Sequence, residues 1–544
     1  MRARRASAAL LAAATAAALL LARAAHLWDP YLLVDDAFIS FRYAANLAEG
    51  HGLVFNQGEK VEGYTNFLWT LLLAGGAALG LDLPLLSVAL AAAAGIAAIV
   101  LLARLARIAL PDNPLLAALP PLLWAALGSQ PRFVVSGMET LLFAALLLLA
   151  LERLLVARRP VAAGAAFALA AMTRPEGGVY WLLTAAWALL RGPGAAGERQ
   201  RTALRLGAAF TALYLPYFLW RWAYYGWLLP NTFYVKATGF TWSRIGRGAE
   251  QLLVLVEQWN AWPLLVLALL TLPALRSDRF VLLGWGWIAA TVAYFLWVGG
   301  DFLPFFGPRF LLPALPFLLI FAAQGLGRLT PALAPRAAAA VRAAAAAALV
   351  AAALWLSWPE RLSRLEGLAL EMESWTRLAH WIREKTPPDT LVATGGAGIV
   401  PFYSRRPTVD MFGLADEHIA HLPPLTSGFR NVAHEKYDPH YVLDRRPDLL
   451  VSGVLRDGVP RTAGLRSTPV RLRACYAPFL LLKVRGGRPP EEGWLRFGRP
   501  TPELYDAGYR TVVYRRRRGA AADACRKLER RREWDRPASG AGAP

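Results

Sequence analysis

Two cysteines, Cys475 and Cys525, are all that 544 residues contain. That is too few for a scaffold held by many disulfides. It leaves two readings open: one bridge, if that segment lies outside the cytoplasm, or two buried thiols. Histidine is scarce too. Four of the 7, His418, His421, His434 and His440, fall close together near Asp410 and Asp438. Their spacing fits no known zinc pattern, so acceptor binding or solvated loops explain them better. Acidic residues number 38 against 59 basic ones, a net charge of +21. In a soluble chain that surplus suggests nucleic acid. Here much of the Arg lies in short loops between apolar runs, where topology and anionic lipid account for it, so no nucleic-acid partner is expected. The stretch "TGGAGI" (Thr394–Ile399) lacks the full dinucleotide fingerprint and is discounted.

Apolar sequence, by contrast, is abundant. The chain is 56% hydrophobic with a mean hydropathy of +0.36. Runs such as Ala8–Ala25, Leu85–Leu102 and Ala337–Trp355 approach the roughly 20 residues that cross a bilayer. An integral membrane protein is expected. The N-terminus "MRARRASAALLAAATAAALLLARAAH" also resembles a signal peptide, with a basic start and an "ARA" site. An uncleaved first span is preferred, because the motif-rich sequence that follows would then be anchored at the membrane face.

Basic loops set the sidedness. Arg2, Arg4 and Arg5 put the N-terminus inside and the loop from His26 to Asn66 outside. Phe67–Leu79 is short and suits a re-entrant or interfacial helix. The expected crossings are then Leu83–Ile108, Leu115–Gly128, Thr140–Val156, the hairpin Ala162–Met172 with Val179–Leu190, Leu206–Trp222, Leu252–Leu272, Val281–Val298, Phe310–Leu326 and Ala337–Trp355. The basic stretch Arg191–Arg205 is read as an inner loop. The total is about 11 spans, with the C-terminal region outside. The outer face collects "SGMET" (Ser136–Thr140), "TRPEGG" (Thr173–Gly178), "YYGWLLPNTFYVK" (Tyr224–Lys236) and "GGDFLPFFGPRFLLP" (Gly299–Pro313). These loops are rich in Gly, Pro, aromatics and isolated charges; the inner loops are mostly Arg, Ala and Leu. Chemistry is expected outside.

After Trp358 the composition changes. A helix ending before a Pro pair is followed by strand-like pieces, "LVATGG", "PTVDMFGL", "DLLVSGV", "FLLLKVRG" and "YRTVVYRRR". The expected organisation is a polytopic α-helical membrane domain over residues 1–358, whose first outer loop is 26–66. An extracytoplasmic α/β domain over 359–520 and a basic, disordered tail over 521–544 follow.

The loop sequence "DDAFISFRYAANLAEGHGLVFNQGEKVEGYTNFLW" resembles the first outer loop of the GT-C superfamily of polytopic glycosyltransferases. The likeness is strongest to the terminal arabinofuranosyltransferases of cell-wall arabinan and their uncharacterised bacterial relatives. "SGMET", "TRPEG", "YYGWLLPNTFYVK", "GGDFLPFFGPRFLLP", "GIVPFYS", "DMFGLAD" and "DPHYVLDRRPD" look like the same family in the same order, from about residue 30 to 455. The resemblance implies a plasma-membrane transferase with a polyprenyl-phosphate sugar as donor and a glycan acceptor outside. It also implies that an acidic residue of the first outer loop does the central work. It does not fix the sugar; arabinofuranose is one candidate.

The residues read the same way. A sugar hydroxyl is a poor nucleophile, so transfer needs a carboxylate to take its proton and a cation to hold the departing phosphate. Asp35 and Asp36 supply the carboxylate. Neighbouring residues on a helix or strand point in different directions, so one is the base and the other binds sugar, metal or a cation. Matching "DDAFISFRYA" to the superfamily's acidic pair favours Asp35 as base. The plainer reading is a helix cap and dipole partner. Arg42, Arg174, Lys236 and Arg309 are the outer-face cations able to hold phosphate. Glu62 and Asp301 sit in loops that can approach a sugar, with solvated turns as the plainer reading. Glu139 and Glu176 bind substrate or instead pair with Arg174 or Arg132. Tyr64, Asn66, Asn231 and Tyr234 complete the candidate substrate contacts, and His51 reads equally as a loop hydrogen-bonder or a sugar ligand. A divalent cation stays open as a cofactor.

Two other functions compete. A transporter or flippase predicts charges in mid-span, where few are seen. A non-catalytic assembly or motor-control protein keeping the fold is opposed by the acidic pair and the outer cations.

Overall fold

The computed structural model describes residues 2–237, 242–258, 261–301, 309–329, 334–355, 362–423 and 435–531. The chain forms two compact units. The first comprises Met1–Gly50, Thr65–Leu229 and Gly239–Leu365; the second comprises His51–Tyr64, Pro230–Thr238 and Glu366–Pro544. The sequence places a single border at 358 and assigns the loop 26–66 as one piece. In the structure that loop divides after Gly50, and its second half belongs with the C-terminal chain.

The first unit is helical throughout its described residues. In chain order it contains α1 (Arg2–Leu27), α2 (Asp35–Ala48), α3 (Phe67–Ala78), α4 (Leu83–Ala109), α5 (Pro114–Ala126), α6 (Ser129–Val135), α7 (Thr140–Leu155), α8 (Pro160–Thr173), α9 (Gly177–Arg191) and α10 (Ala196–Tyr225). After α11 (Asn231–Ala237), which belongs to the second unit, it resumes with α12 (Trp242–Gln258), α13 (Trp262–Leu269), α14 (Arg279–Val298), α15 (Leu315–Arg328) and α16 (Pro335–Trp355). Helix starts follow ordinary capping chemistry. The Asp82 side chain accepts from the Leu85 N–H, Asn113 from Leu116, and Asp278 from Phe280 and Val281.

Among the described residues, four helical stretches are long and apolar enough to cross a membrane: Leu10–Leu27, Leu83–Ala109, Arg279–Val298 and Pro335–Trp355. Shorter apolar helices accompany them, and α6 and α7 form one bent pair with a 115° break at "SGMET". Apolar side chains such as Leu85, Leu182, Leu213 and Val266 are exposed on these helices, which suits a lipid-facing surface. Two sequence expectations change. Leu252–Leu272 is not one helix: α12 and α13 divide it, because Pro263 lacks an N–H and sits in the first turn of a new helix. In the stretch Arg191–Arg205, Arg191 ends α9 and only Gly192–Ala195 is loop; from Ala196 it is the first part of α10, whose Ala, Glu, Gln and Arg favour helix.

The second unit is an α/β sandwich. Its sheet runs in the order β2-β1-β3-β6-β4-β5. The strands are β1 (Val392–Thr394), β2 (Thr408–Asp410), β3 (Leu449–Gly453), β4 (Tyr476–Lys483), β5 (Leu495–Phe497) and β6 (Tyr509–Arg516). β1 pairs in parallel with β2 and β3, and the remaining pairings are antiparallel. All five strand-like pieces of the sequence form strands. β5 escapes notice because it is a three-residue strand at the sheet edge, where no alternation can register. Alternation sorts the two faces. Val392, Leu449, Val451, Leu480, Leu482 and Val513 pack with Leu378 and Ile382 of α17 (Leu362–Lys385). Ala393, Val409, Leu450, Leu481 and Val512 face the other core, with Leu472 and Cys475. The minor helices are α18 (Ile399–Ser404), α19 (Glu417–Ala420), α20 (Pro439–Asp444), α21 (Pro469–Cys475), α22 (Pro502–Asp506) and α23 (Asp523–Arg531). Cys475 and Cys525 are joined in a disulfide that fastens α23 to α21. The chain expected as a tail from 521 therefore starts as an anchored helix, and residues beyond Arg531 lie outside the described ones.

Candidate active site

The acidic pair opens α2. Val34 is the N-cap and makes no side-chain cap bond, so Asp35 and Asp36 are the first two helical residues and not caps. Two carboxylates in a first turn suit the positive end of the helix dipole. The turn is pinned from outside: the Val34 N–H donates to the Ser136 carbonyl at 3.1 Å. Gly137 adopts φ +79°, and a Cβ there would lie 2.9 Å from that of Ala37. The glycine of "SGMET" thus lets the α6–α7 bend press against the residue after Asp36.

Asp36 faces Arg309. Arg309 Nη2 lies 3.8 Å from Asp36 Oδ2, while Arg309 Nε donates to both oxygens of Asp301, at 2.9 and 3.0 Å. Burial grades along this line. The Asp301 side chain is 0% exposed, Arg309 7% and Asp36 29%, so Asp36 is the end open to a reactant. Burial pulls the Arg309 pKa down, but Asp301 and then Asp36 outweigh it and hold the guanidinium above its ordinary value.

A second buried network ties helix ends together. Asn66, the N-cap of α3, accepts from Ser40 and Thr70 and donates through Nδ2 to Glu139 at 2.8 Å. Arg174, which closes α8, donates to Glu139 at 2.9 Å and to Glu176 at 2.6 Å. Glu139 and Glu176 stand at the N-termini of α7 and α9 and Arg174 at the C-terminus of α8, the ends where helix dipoles favour each sign. Burial lowers the Arg174 pKa, yet Glu176 and Glu139 together raise it above the ordinary value. Phe310 lies between the two networks, with the Arg174 and Arg309 guanidiniums 4.9 and 5.3 Å from its ring centroid.

Several candidates therefore change character. Glu139 and Glu176 pair with Arg174, the structural alternative read from sequence, and Arg174 is committed to both of them. Arg42 is buried on α2. The remaining candidates, His51, Glu62, Tyr64, Asn231, Tyr234 and Lys236, belong to the second unit. There the Asn231 side-chain amide donates to the carbonyls of Gly413, Leu414 and Asp416, and its N–H to the Glu62 carbonyl, so it straps backbone. Glu62 and Tyr64 are buried. The Tyr234 ring packs on His421 at 4.3 Å. Lys236 ends α11. The described histidines have separate partners. His418 pairs with Asp438, His421 bonds the Glu417 carbonyl, His440 lies on α20, and His434 is outside the described residues. Gln251, Ser40, Thr70 and Phe310 were not singled out from sequence. Asn66 and Thr70 at i, i+4 carried the one legible hint.

Asp410, at the end of β2, is fully buried and accepts from the Phe412 and Ala415 N–H groups. Burial raises its carboxyl to about 6, against the pull of those two donors. A folded pKa above the unfolded value of 3.8 adds stability that is complete below 3.8 and is lost as pH rises through about 6. The melting temperature of the second unit should carry a downward contribution between about pH 4 and pH 7. Thermal unfolding of Asp410→Asn against wild type across that range should show the contribution gone.

Residues 366–513 match a family model described as a domain of unknown function (DUF8728). The terminal β-(1→2)-arabinofuranosyltransferase of Mycobacterium tuberculosis is 30% identical over 236 residues, which is 40% of this chain and 37% of that protein. The chain therefore matches less than half the length of that relative. Among solved structures, ArnT from Cupriavidus metallidurans bound to undecaprenyl phosphate superposes with a TM-score of 0.55 at 17% identity, over 93% of this chain and 98% of that one. The apo oligosaccharyltransferase of Archaeoglobus fulgidus gives 0.54 at 12% identity, over 96% and 78%. The fold is shared with both, and the resemblance to GT-C glycosyltransferases stands in sequence and in structure.

Proposed function

We propose that this chain is an integral-membrane glycosyltransferase that moves a sugar from a polyprenyl-phosphate donor to a glycan acceptor outside the plasma membrane. The observation that carries the reading is the line Asp36–Arg309–Asp301 at the start of α2, beside the adjacent carboxylate of Asp35. Asp36 faces a cation and orients it, and the likeness of "DDAFISFRYA" to the superfamily's acidic pair favours Asp35 as the base. The acceptor hydroxyl gives its proton to Asp35 as its oxygen bonds the anomeric carbon. The bond from that carbon to the phosphate oxygen breaks on the opposite face, and the electron pair leaves with polyprenyl phosphate. Arg309 meets the departing charge. Attack opposite the leaving group inverts the anomeric centre. The solved ArnT complex with undecaprenyl phosphate supports the donor class, and the mycobacterial relative supports arabinofuranose as one candidate sugar.

The test is transfer of radiolabelled sugar from crude polyprenyl-phosphate donors by the purified full-length chain in detergent. Labelled acceptor is expected. No transfer with any donor that the protein binds would sink the reading.

The disulfide supports an extracytoplasmic second unit, since such bonds persist in oxidising compartments. With about 11 crossings, counting the short apolar helices as spans and Phe67–Leu79 as re-entrant or interfacial, the C-terminus lies outside. A reporter that works only in the cytoplasm, fused after Pro544, should be silent in cells. Signal from that fusion would overturn the topology.

A further inference from the structure

We propose that Gln251 is a positioning residue for the Asp301–Arg309 pair, acting from α12; the inference rests on the transferase reading for its consequence in catalysis. Both ends of one side-chain amide engage both backbone groups of one residue. Gln251 Nε2 donates to the Asp301 carbonyl at 2.7 Å, and Gln251 Oε1 accepts from the Asp301 N–H. Asp301 follows α14 through two glycines in the left-handed region, Gly299 at φ +86° and Gly300 at φ +98°. A Cβ on Gly300 would lie 2.0 Å from Gln251 Oε1. The "GGD" sequence is thereby explained: the glycines turn the chain out of α14 and leave room for the amide to dock.

The docking is built into α12. Arg244, Gly248 and Gln251 recur at i, i+4 and i+7, one helical face. Gly248 lies against the α14 backbone, where a Cβ would sit 3.0 Å from Leu296 Cα, and a Cβ on Gly299 would meet the Arg244 backbone at 3.3 Å. Away from that face α12 exposes Trp242, Leu253 and Val254. The connection therefore runs from α12 through the Gln251 amide to the Asp301 backbone, and from the Asp301 carboxylate to Arg309 and Asp36. Gln carries a donor and an acceptor on one carbon at that reach; Asn carries the same amide one methylene closer to its Cα.

A merely structural role would satisfy the buried Asp301 backbone and no more. The experiment separates the two in the full-length chain. Gln251→Met keeps the length and removes both bonds; Gln251→Glu keeps the acceptor but meets the Asp301 carbonyl with an oxygen. Undecaprenyl phosphate is the probe. Gln251→Met is expected to weaken its binding about 10-fold in wild type and to add nothing on an Arg309→Ala background, because both changes act through the same guanidinium. Transfer should lose about 100-fold in kcat with little change in acceptor KM, and Gln251→Glu should fall between. Amide exchange at Asp301 should accelerate in Gln251→Met. Additive losses in the double variant, wild-type binding by Gln251→Met, or unchanged exchange at Asp301 would each overturn the positioning role. A protein that binds the probe with this coupling but transfers no sugar would sink the transferase reading and leave the positioning intact.

Discussion

Asp35→Asn should fold, bind donor lipid and lose sugar transfer by about 100- to 10,000-fold, the usual cost of removing a general base. The substitution keeps the size of the side chain and takes away its ability to accept the acceptor proton. Asp36→Asn removes the charge that faces Arg309 at 3.8 Å and should lose less, about 10- to 100-fold, through misplacement of the guanidinium. The measurement is single-turnover transfer with a saturating donor, alongside melting curves to confirm folding. If both single variants and the double variant turn over at the wild-type rate, the pair does no more than start a helix. If Asp36→Asn is the more damaging, the two roles are exchanged.

The second large effect is on stability. Arg174→Met should destabilise the helical unit by about 3–5 kcal/mol, because removing one partner of a buried ion pair strands the other. Here two partners are stranded: the Glu139 and Glu176 side chains are 3% and 9% exposed. Asn66 would still donate to Glu139 but cannot neutralise it. Glu139→Gln and Glu176→Gln added to Arg174→Met should restore part of the loss, since the stranded charges are then gone. Detergent-solubilised melting temperatures across the four variants check this. A single Arg174→Met protein as stable as wild type would show that the network holds nothing together.

Much of the second unit was legible because it is a soluble α/β sandwich. Alternation in "DLLVSGV" and "YRTVVYRRR" sorts residues to two cores, and the helix before Pro387 ends where a proline pair requires. The helical unit was legible in kind but not in its boundaries. The apolar residues at the end of α12 and those of α13 follow each other closely in sequence, so Leu252–Leu272 reads as one run although Pro263 sits in the first turn of a new helix within it. The acidic pair was legible from its neighbours in sequence. Its partners were less so, because Arg309 and Asp36 are separated by nearly the whole helical unit and meet only through packing. The pairing of Glu139 and Glu176 with Arg174 was one of two alternatives, and sequence offered no way to choose. Gln251 gave no sign at all: its function depends on a loop that is fifty residues further on in the chain.

The second unit is assembled out of chain order. Asn56 donates to the Thr408 carbonyl and accepts from the Thr408 N–H across 352 residues of sequence, and Asn231 bonds Gly413, 182 residues later. A ribosome makes the early partners long before the late ones exist. His51–Tyr64 and Pro230–Thr238 must therefore wait, with polar groups solvated, until the sheet around Thr408 emerges to receive them. Truncation at 359 would strand both segments permanently, so shortened chains should misfold locally at those two inserts. A split version would have to supply the C-terminal half in trans to the same waiting loops.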